Sequence, residues 1–441
     1  MTLTNKSYEN ICENISRTQS GELCLGGVAV STLAEKYGTP LYLYDEDRIR
    51  ERCRIYLNAV RDGFDGGAKV LYASKAASFR RLYEIMKDEG MGIDVVSCGE
   101  IHTANLVGFP LEKAYFHSNN KTDRDIRYAI EHGVGNFVVD NEEELVAINN
   151  IASDMGIVQR VLLRITPGID PHTYEAVSTG KVDSKFGSAI ETGQAKDITA
   201  LALSLASVRL VGFHCHVGSQ VFDSEVYLQA AYAMLSFIAD VKQTLGYEPL
   251  ELDIGGGYGV RYTSDDPEID IRKNILSVAE YLKKTAESLG ITLPVIAFEP
   301  GRSIVADAGM TLYTVGTVKR IPGYKNYVSV DGGMTDNPRF ALYRSKYTVL
   351  PVSSPVADDA MSCSVVGRCC ESGDIIQENV LMPADIHRGD LVACLTTGAY
   401  NYSMASNYNR LPRPAVVMLS QGCDYLAVRR ETEEDITSLD V

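Results

Sequence analysis

Short apolar runs alternate with helix-length stretches between about residues 68 and 300, and this alternation constrains the fold more than any other feature. Such runs indicate parallel strands that are buried on both faces and connected by helices. Eight units of this kind predict an α/β fold, a closed (β/α)8 TIM-type barrel rather than an open, doubly wound sheet. The predicted strands are 69–75, 93–97, 114–118, 136–140, 160–166, 210–219, 250–257 and 295–301, and the amphipathic stretches between them include 121–132, 141–155, 223–245 and 270–289.

From about residue 310 the pattern changes to strands separated by Gly, Pro and Asp turns, with few helix-length intervals. This pattern is typical of a mostly antiparallel β-domain. The early run Leu41–Asp45 precedes the first barrel unit and is expected to join that sheet. Single domains seldom exceed ~250–300 residues, so the chain has room for both. We predict a barrel over residues 46–308 and a β-domain formed by residues 1–45 with 309–441.

Charge and cysteine usage limit the classes of partner. The formal net charge is −16, and so acidic a surface repels phosphate backbones and anionic lipid. No apolar run reaches the ~18 residues of a membrane span, and the N-terminal residues lack the pattern of a secretory signal. The cysteines are scattered, with no CxxC pair and no metal-ligand spacing. We expect a cytoplasmic protein with reduced thiols, no metal site, no nucleic-acid partner and no membrane partner.

Polar residues lie at the carboxyl ends of the predicted barrel strands, where the catalytic groups of this architecture lie. A strand cap is the commoner explanation for any one of them, but their shared position favours a site. They are Lys75, Asp94, Ser97, His117, Asp140, His214, His216, Ser219, Asp253, Gly255, Gly256, Gly257 and Glu299.

Lys75 ends a buried run, where desolvation makes an amine a nucleophile toward an aldehyde. A lysine that merely reaches solvent is the alternative. The runs Asp253–Gly259 and Glu299–Arg302 each offer backbone N–H groups to an anion, as in the barrel phosphate site after strands seven and eight. Glu299 can keep a pyridine nitrogen protonated. These features together indicate pyridoxal phosphate (PLP) held by Lys75.

Two further groups of residues have two explanations each. His216 can stack on a planar ring, or it is a core histidine satisfied by the backbone, and Ser219 can bond a phosphate oxygen. In the β-domain, the turns Arg368–Asp374 and Gly398–Tyr402 combine thiols, carboxylates and phenols. Composition alone does not make these turns catalytic, because a structural cysteine is the commoner case.

Taken together, these motifs resemble the fold-type III PLP-dependent decarboxylases, and most closely those that act on diaminopimelate. The matching segments run in the family's order and span nearly the whole chain; they are YASKA around Lys75, STGKVDSKFG, HCHVGSQ, DIGGGYG, EPGR, CESGD and GAYNYSMASNYN. The resemblance implies a barrel plus a β-domain, and a homodimer with shared active sites. Cys370 and Glu371 would complete each site from the partner subunit.

The resemblance also implies a role for each matching residue. Lys75 would carry PLP, and Cys370 would be the general acid. The other residues that would contact PLP are His216, Ser219, Gly255, Gly256, Gly257, Glu299, Gly301, Arg302 and Tyr400. The residues that would contact the substrate are Arg302, Arg339, Tyr343, Glu371 and Tyr400.

The reaction that the resemblance implies is decarboxylation of meso-2,6-diaminoheptanedioate (diaminopimelate) to L-lysine and CO2, the last step of lysine biosynthesis. Arg302 and Arg339 favour a substrate with a second carboxylate, because guanidinium–carboxylate pairing is geometrically selective. Decarboxylation of ornithine, arginine or carboxynorspermidine is the alternative. The chain departs from the family's pattern at Ala77, Tyr174, Phe340 and Tyr347, and these departures bear on the substrate rather than on the cofactor.

Two other classes of function are disfavoured. Racemases of related architecture place an arginine against the pyridine nitrogen, whereas this chain has Glu299. A PLP-binding protein without turnover would have lost its lysine or its cysteine, and both Lys75 and Cys370 are present.

Overall fold

The computed structural model describes residues 11–169, 184–356 and 359–441. These residues form two compact units. The first unit holds the residues up to Arg52, the segment Val260–Glu268 and the residues from Ile304 on, and the second holds Cys53–Gly259 and Ile269–Ser303.

The first described elements are a small antiparallel sheet, a helix and a strand that belongs to the main sheet of the first unit. Leu41–Asp45 is buried at every residue, as expected for an apolar run inside a sheet. The elements up to residue 63 are β1 (Ile15–Arg17), β2 (Leu23–Leu25), β3 (Val28–Ala29), α1 (Val30–Tyr37), β4 (Leu41–Asp45) and α2 (Glu46–Gly63).

The second unit contains the strands of a closed barrel. These strands are β5 (Ala68–Ala73), β6 (Gly92–Val95), β7 (Ala114–Phe116), β8 (Asn136–Val139), β9 (Gln159–Thr166), β10 (Ser188–Ala189), β11 (Val208–His214), β12 (Glu251–Asp253) and β13 (Val295–Phe298). Eight of them form a closed ring of parallel strands in the order β5–β6–β7–β8–β9–β11–β12–β13, with β13 paired to β5. Strand β10 lies outside this ring and pairs with β9. Each of the eight overlaps a predicted run, so the predicted barrel is confirmed.

Helices connect the barrel strands, and local sequence sets their ends. Thr122 and Asp125 form a capping box at the start of α5, and α9 ends at Gly290 in the left-handed region. None of the described helices is long and apolar enough to cross a membrane. The helices are α3 (Arg80–Asp88), α4 (Cys98–Leu106), α5 (Asp123–Glu131), α6 (Glu142–Asp154), α7 (Gln194–Ser204), α8 (Ser224–Leu245) and α9 (Ile271–Leu289).

The barrel interior is filled by side chains from five different strands. Leu71, Tyr115, Val138, Leu162 and Val211 pack into one cluster, and none is more than 2% exposed. A filled interior leaves the two ends of the barrel as the places where polar side chains can gather.

The main sheet of the first unit runs mostly antiparallel, as predicted. Its remaining elements, with the short helices around them, are α10 (Arg302–Val305), β14 (Gly309–Ile321), β15 (Lys325–Val330), α11 (Arg339–Tyr343), β16 (Val349–Pro351), β17 (Met361–Val366), β18 (Ile375–Met382), β19 (Leu391–Leu395), β20 (Ala415–Ser420), β21 (Cys423–Val428) and α12 (Glu433–Thr437). The strand order is β18–β17–β15–β14–β4–β20–β21, and β19 pairs with both β14 and β16. The β15–β17 and β4–β20 pairs are parallel, and the others are antiparallel. The expected place of Leu41–Asp45 in this sheet is confirmed, since β4 lies between β14 and β20.

Candidate active site

Lys75 lies in a single 3-10 turn directly after β5, at the carboxyl end of the barrel. Lys75 is exposed, so the expected desolvation of its amine is not found in the described chain, while Ala76 beside it is buried. The backbone N–H of Ala73 donates to the carbonyl of Pro300 at 3.1 Å, which fastens this strand end to the segment after β13. A Cβ on Gly301 would lie 2.9 Å from the Cβ of Ala73, so glycine permits this close approach.

The glycines after β12 are packed so tightly that no side chain fits. Gly255 and Gly257 have φ of +70° and +108°, which favours glycine. A Cβ on Gly256 would overlap the carbonyl oxygen of Glu299, and one on Gly257 would overlap that of Gly218. The backbone can therefore come close to neighbouring groups, as an anion-binding loop requires.

His216 and Ser219 follow β11 at the same end of the barrel. The N–H of Gly256 donates to Nδ1 of His216 at 3.4 Å, so the ring proton of the neutral imidazole is on Nε2. Burial, followed by the nearby charge of Lys75, lowers the pKa of His216 well below its usual range. Arg302 donates through Nη2 to Oγ of Ser219 at 2.8 Å.

Glu299 lies between two histidines. Nε2 of His117 is 2.7 Å from Oε1, and Nε2 of His214 is 3.1 Å from Oε2. The centroids of the two imidazole rings are 4.9 Å apart, and the ring planes make an angle of 72°. Burial alone would raise the pKa of Glu299, but the two histidines outweigh it and hold that pKa well below its ordinary value. Burial lowers the pKa of His214 to about 4.

Other titratable groups surround this cluster. Burial raises the pKa of Asp94 and Asp253, and the charge of Glu299 raises both further. Arg164, on β9, also reaches this end, and its guanidinium lies 4.4 Å from the ring of Phe186. Burial lowers the pKa of Arg164 although Asp94 and Glu299 oppose that shift. Sequence reasoning missed Arg164; the indication was an arginine inside an otherwise apolar barrel strand.

In the first unit, Arg339 is buried among phenols. Its Cζ lies 5.6 Å from the ring of Tyr262, 5.7 Å from that of Tyr343 and 5.5 Å from that of Tyr400. Burial lowers the pKa of Arg339, but Tyr347, Tyr262 and Tyr400 more than compensate, so the pKa is raised. The guanidinium is therefore a fixed cation that is surrounded by aromatic rings. Tyr262 was not singled out from the sequence, because it lies far from Arg339 along the chain.

The positions at which the chain departs from the family's pattern have definite places where they are described. Phe340 and Tyr347 are buried, and the Tyr347 ring contacts that of Tyr262 edge-on at 5.2 Å. Ala77 is buried directly after the turn of Lys75. Tyr174 lies outside the described residues.

Cys370 and Glu371 occupy an exposed turn that a buried carboxylate holds in place. Asp374 is 4% exposed and accepts from the backbone N–H of Cys369 at 2.7 Å and of Met334 at 2.6 Å. The N–H of Cys370 donates to the side chain of Asn409 at 2.9 Å. The thiol of Cys370 is thus presented at the surface of the first unit on a well-anchored turn.

The predicted site residues fall into two groups. Those that the second unit brings to the carboxyl end of its barrel are Lys75, His216, Ser219, Gly255, Gly256, Gly257, Glu299, Gly301 and Arg302. Those in the first unit are Arg339, Tyr343, Cys370, Glu371 and Tyr400. Pyridoxal phosphate fits the barrel group, because Oε1 of Glu299 is buried without an aligned hydrogen-bond donor among the described residues, and a protonated ring nitrogen supplies one.

Comparison with known proteins agrees with this geometry. The family described as "Pyridoxal-dependent decarboxylase, pyridoxal binding domain" matches residues 46–306. Diaminopimelate decarboxylase of Bacillus subtilis is 43% identical over 426 residues, which is 96% of each chain. The crystal structure of diaminopimelate decarboxylase from M. jannaschii in complex with L-lysine superposes with a TM-score of 0.90 at 32% identity, covering 97% of this chain and 98% of that one.

A lysine/ornithine decarboxylase from Vibrio vulnificus is a more distant neighbour. It has a TM-score of 0.74 at 25% identity and covers 89% of this chain and 97% of that chain. The relatives with the higher identity over nearly the full length are named for diaminopimelate. The chain therefore belongs to the diaminopimelate decarboxylase family of PLP-dependent decarboxylases.

Proposed function

We propose that this enzyme decarboxylates meso-2,6-diaminoheptanedioate (diaminopimelate) to L-lysine and CO2. The observation that carries the choice of substrate is the buried guanidinium of Arg339, held among the rings of Tyr262, Tyr343 and Tyr400. A fixed guanidinium pairs selectively with a carboxylate, and diaminopimelate has a second carboxylate where ornithine has none. The names of the relatives support the same substrate.

In this proposal the barrel residues hold PLP. Lys75 would hold its aldehyde, and the carboxylate of Glu299 would keep a proton on its ring nitrogen. The neutral imidazole of His216 would contact its ring. The phosphate would be held by Gly255, Gly256, Gly257, Ser219, Gly301 and Tyr400, and Arg302 would also contact the cofactor. Bound PLP supplies the electron sink for the bond that breaks.

The remaining residues orient the substrate and move a proton. Arg339 and Arg302 bind carboxylates, with Tyr343 and Tyr400 beside them, while the carboxylate of Glu371 binds the distal ammonium. Sγ of Cys370 delivers a proton to the carbon that has lost CO2. Cys370 and Glu371 lie on an exposed turn, from which they can contact the active site of a second subunit. We therefore propose a homodimer with shared active sites.

Two further assignments belong to the same proposal. We assign residues 46–308 to the cofactor-binding domain, which the family match over residues 46–306 supports. Residues 1–45 with 309–441 are assigned to the domain that completes the site, although the compact units of the fold divide at Arg52 and Ile304. The protein acts in the cytoplasm, which is supported by ten cysteines that form no disulfide in the described chain.

A substrate panel tests the proposal. Purified protein with PLP is supplied with meso-diaminopimelate, ornithine, arginine or carboxynorspermidine, and the release of CO2 is measured together with the formation of lysine. We expect kcat/KM for meso-diaminopimelate to exceed that for each of the others by at least about 100-fold, because a buried charge left unpaired is costly. Faster release of CO2 from ornithine would show that the substrate is wrong while the reaction class is right.

A further inference from the structure

The two oxygens of Glu299 have different surroundings. Oε2 is bound by Nε2 of His214 at 3.1 Å, in a hydrogen bond between two buried side chains. Oε1 lies 2.7 Å from Nε2 of His117 but has no aligned donor among the described residues. One oxygen is thus fixed by the protein and the other keeps a free acceptor direction.

The surroundings of His214 define its protonation state. Its side chain is 1% exposed, and Nδ1 has no hydrogen-bond partner in the described chain. A charged imidazolium would place an N–H at Nδ1 with no acceptor, which is costly in a buried site. The neutral ring therefore carries its proton on Nε2 and donates it to Glu299.

The backbone holds this donor in a fixed place. His214 is the last residue of β11, and it is in register with Arg164 on β9 and with Asp253 on β12. A side chain at the end of a strand paired on both sides has little freedom to follow a carboxylate that moves. His214 therefore sets where Oε2 can lie.

We propose that His214 is a positioning residue for the cofactor: it holds Oε2 of Glu299 so that Oε1 stays charged and available to the ring nitrogen of PLP. The inference rests on the proposed function, since it concerns the same carboxylate. His117 assists, because its Nε2 lies between Oε1 of Glu299 and Oδ1 of Asp94, at 2.7 Å and 3.9 Å. A ring in that position separates two buried carboxylates that would otherwise repel each other.

Several titratable groups at neighbouring strand ends interact electrostatically with Glu299 or with its neighbours. A variant that tests His214 must therefore change the contact of His214 alone. These groups are Asp94, His117, Arg164, His214, Cys215, His216 and Asp253.

A metal ion is the competing explanation for this cluster. His117, His214 and Glu299 bring potential ligand atoms within 4.8 Å of one another. Ligands of a tetrahedral zinc ion at about 2.0–2.1 Å would lie roughly 3.3 Å apart. The separation of 2.7 Å between Nε2 of His117 and Oε1 is shorter than that, and it is a direct contact distance.

The test uses two amide side chains that differ in reach. The amide nitrogen of His214→Gln takes the place of Nε2 and still donates to Glu299, whereas that of His214→Asn is too short. We expect His214→Asn to weaken PLP binding and to lower kcat, each about tenfold, as for a lost hydrogen bond to a charged group. KM for the substrate should change less than about twofold, since the residue does not contact it.

The spectrum of the holoenzyme gives a readout that a packing defect would not move. The visible band of bound PLP, followed against pH, should titrate at a higher pH in His214→Asn, because Glu299 has lost a donor that favours its charged form. His214→Gln should restore most of the PLP affinity and the wild-type titration. The exposed His102, changed to Gln, is the matched control and should behave as wild type.

Other outcomes would overturn the inference. One is a His214→Asn protein that binds PLP and titrates as wild type does, and His214→Leu replaces this variant if it does not fold. Failure of His214→Gln to restore PLP affinity is another, and so is one zinc ion per wild-type chain that is lost in His214→Asn. A wild-type protein that binds PLP but releases no CO2 would contradict the proposed function alone, because PLP affinity and titration still test His214.

Discussion

Lys75 is exposed at the end of the barrel while the residues beside it in the turn, Ser74 and Ala76, are buried. A fixed backbone with a free amine is what covalent attachment of an aldehyde requires. We expect Lys75→Ala to lose the visible band of bound PLP and to reduce CO2 release by at least about 1,000-fold. Absorbance and CO2 assays check this. Lys113→Ala, at an exposed lysine of the same unit, should leave both unchanged.

The lowered pKa of His214 predicts how the free energy of unfolding depends on pH. Its pKa of about 4 in the folded chain lies below the ordinary 6.5, because burial opposes the charge. Between these values the unfolded chain binds a proton that the folded chain does not, so stability is lost as pH falls from 6.5 to 4. We expect the loss from this residue to be about 3 kcal/mol.

Urea unfolding of wild type and His214→Gln at pH 7 and pH 4.5 measures this contribution, since glutamine does not titrate. The wild type should lose more stability than the variant over that interval. The control is His102→Gln, because His102 is exposed. Parallel losses in wild type and His214→Gln would mean that the imidazole is protonated in the folded chain.

At this scale the sequence predicted which residues reach the carboxyl end of the barrel but not how they pair. His117, His214 and Glu299 each lay within a predicted strand, and strand order alone could not say that both imidazoles contact one carboxylate. Arg164 was not predicted as a site residue because its neighbours in the sequence are apolar. Tyr262 was not predicted because it contacts Arg339 only in the folded chain. Pairing of this kind depends on rotamers and on register, which local pattern does not specify.

Among the elements, the glycine loop after β12 has little room for a side chain. A Cβ on Gly256 would overlap the backbone oxygen of Glu299, which is not a flexible group that can move aside. We expect Gly256→Ala to shift the loop, to destabilise the fold by about 2–4 kcal/mol and to weaken PLP binding by at least about tenfold. Thermal unfolding and titration with PLP measure both effects.

The matched control for this loop is Gly316→Ala. A Cβ at that position in β14 would meet its nearest neighbour, the carbonyl oxygen of Ser329, at an ordinary 3.7 Å. It should change PLP affinity less than about twofold. Equal effects of the two substitutions would mean that the close approach of Gly256 to Glu299 is unimportant for the cofactor.

The predictable elements were those with an unambiguous apolar pattern. All eight barrel strands were predicted because parallel strands buried on both faces are continuous apolar runs. Strand β18 has no such run, since its polar residues Gln377, Glu378 and Asn379 interrupt the apolar pattern. The strands of the sheet β1–β3 have two or three residues each, which is too short to show a period.

For the whole molecule, the discontinuous first unit has a consequence for function. Its main sheet contains β4, which precedes the barrel in the sequence, and strands that follow the barrel. The barrel residues therefore lie between two parts of the first unit along the chain. The proposed proton donor Cys370 and the proposed PLP lysine Lys75 therefore belong to different units. Whether the two units of one chain or of two chains form a site is a question of assembly, which sequence pattern does not address.

Mixed dimers answer this question. In a homodimer with shared sites, a chain with Lys75→Ala paired with a chain with Cys370→Ala has one site with both defects and one with neither. Random pairing makes half of the dimers mixed, so we expect about a quarter of wild-type activity from two inactive proteins after co-expression. Lys75→Ala mixed with His216→Ala is the control, because both changes lie in the barrel unit and every site keeps one defect. Recovery no greater than in this control would mean that each active site is built from a single chain.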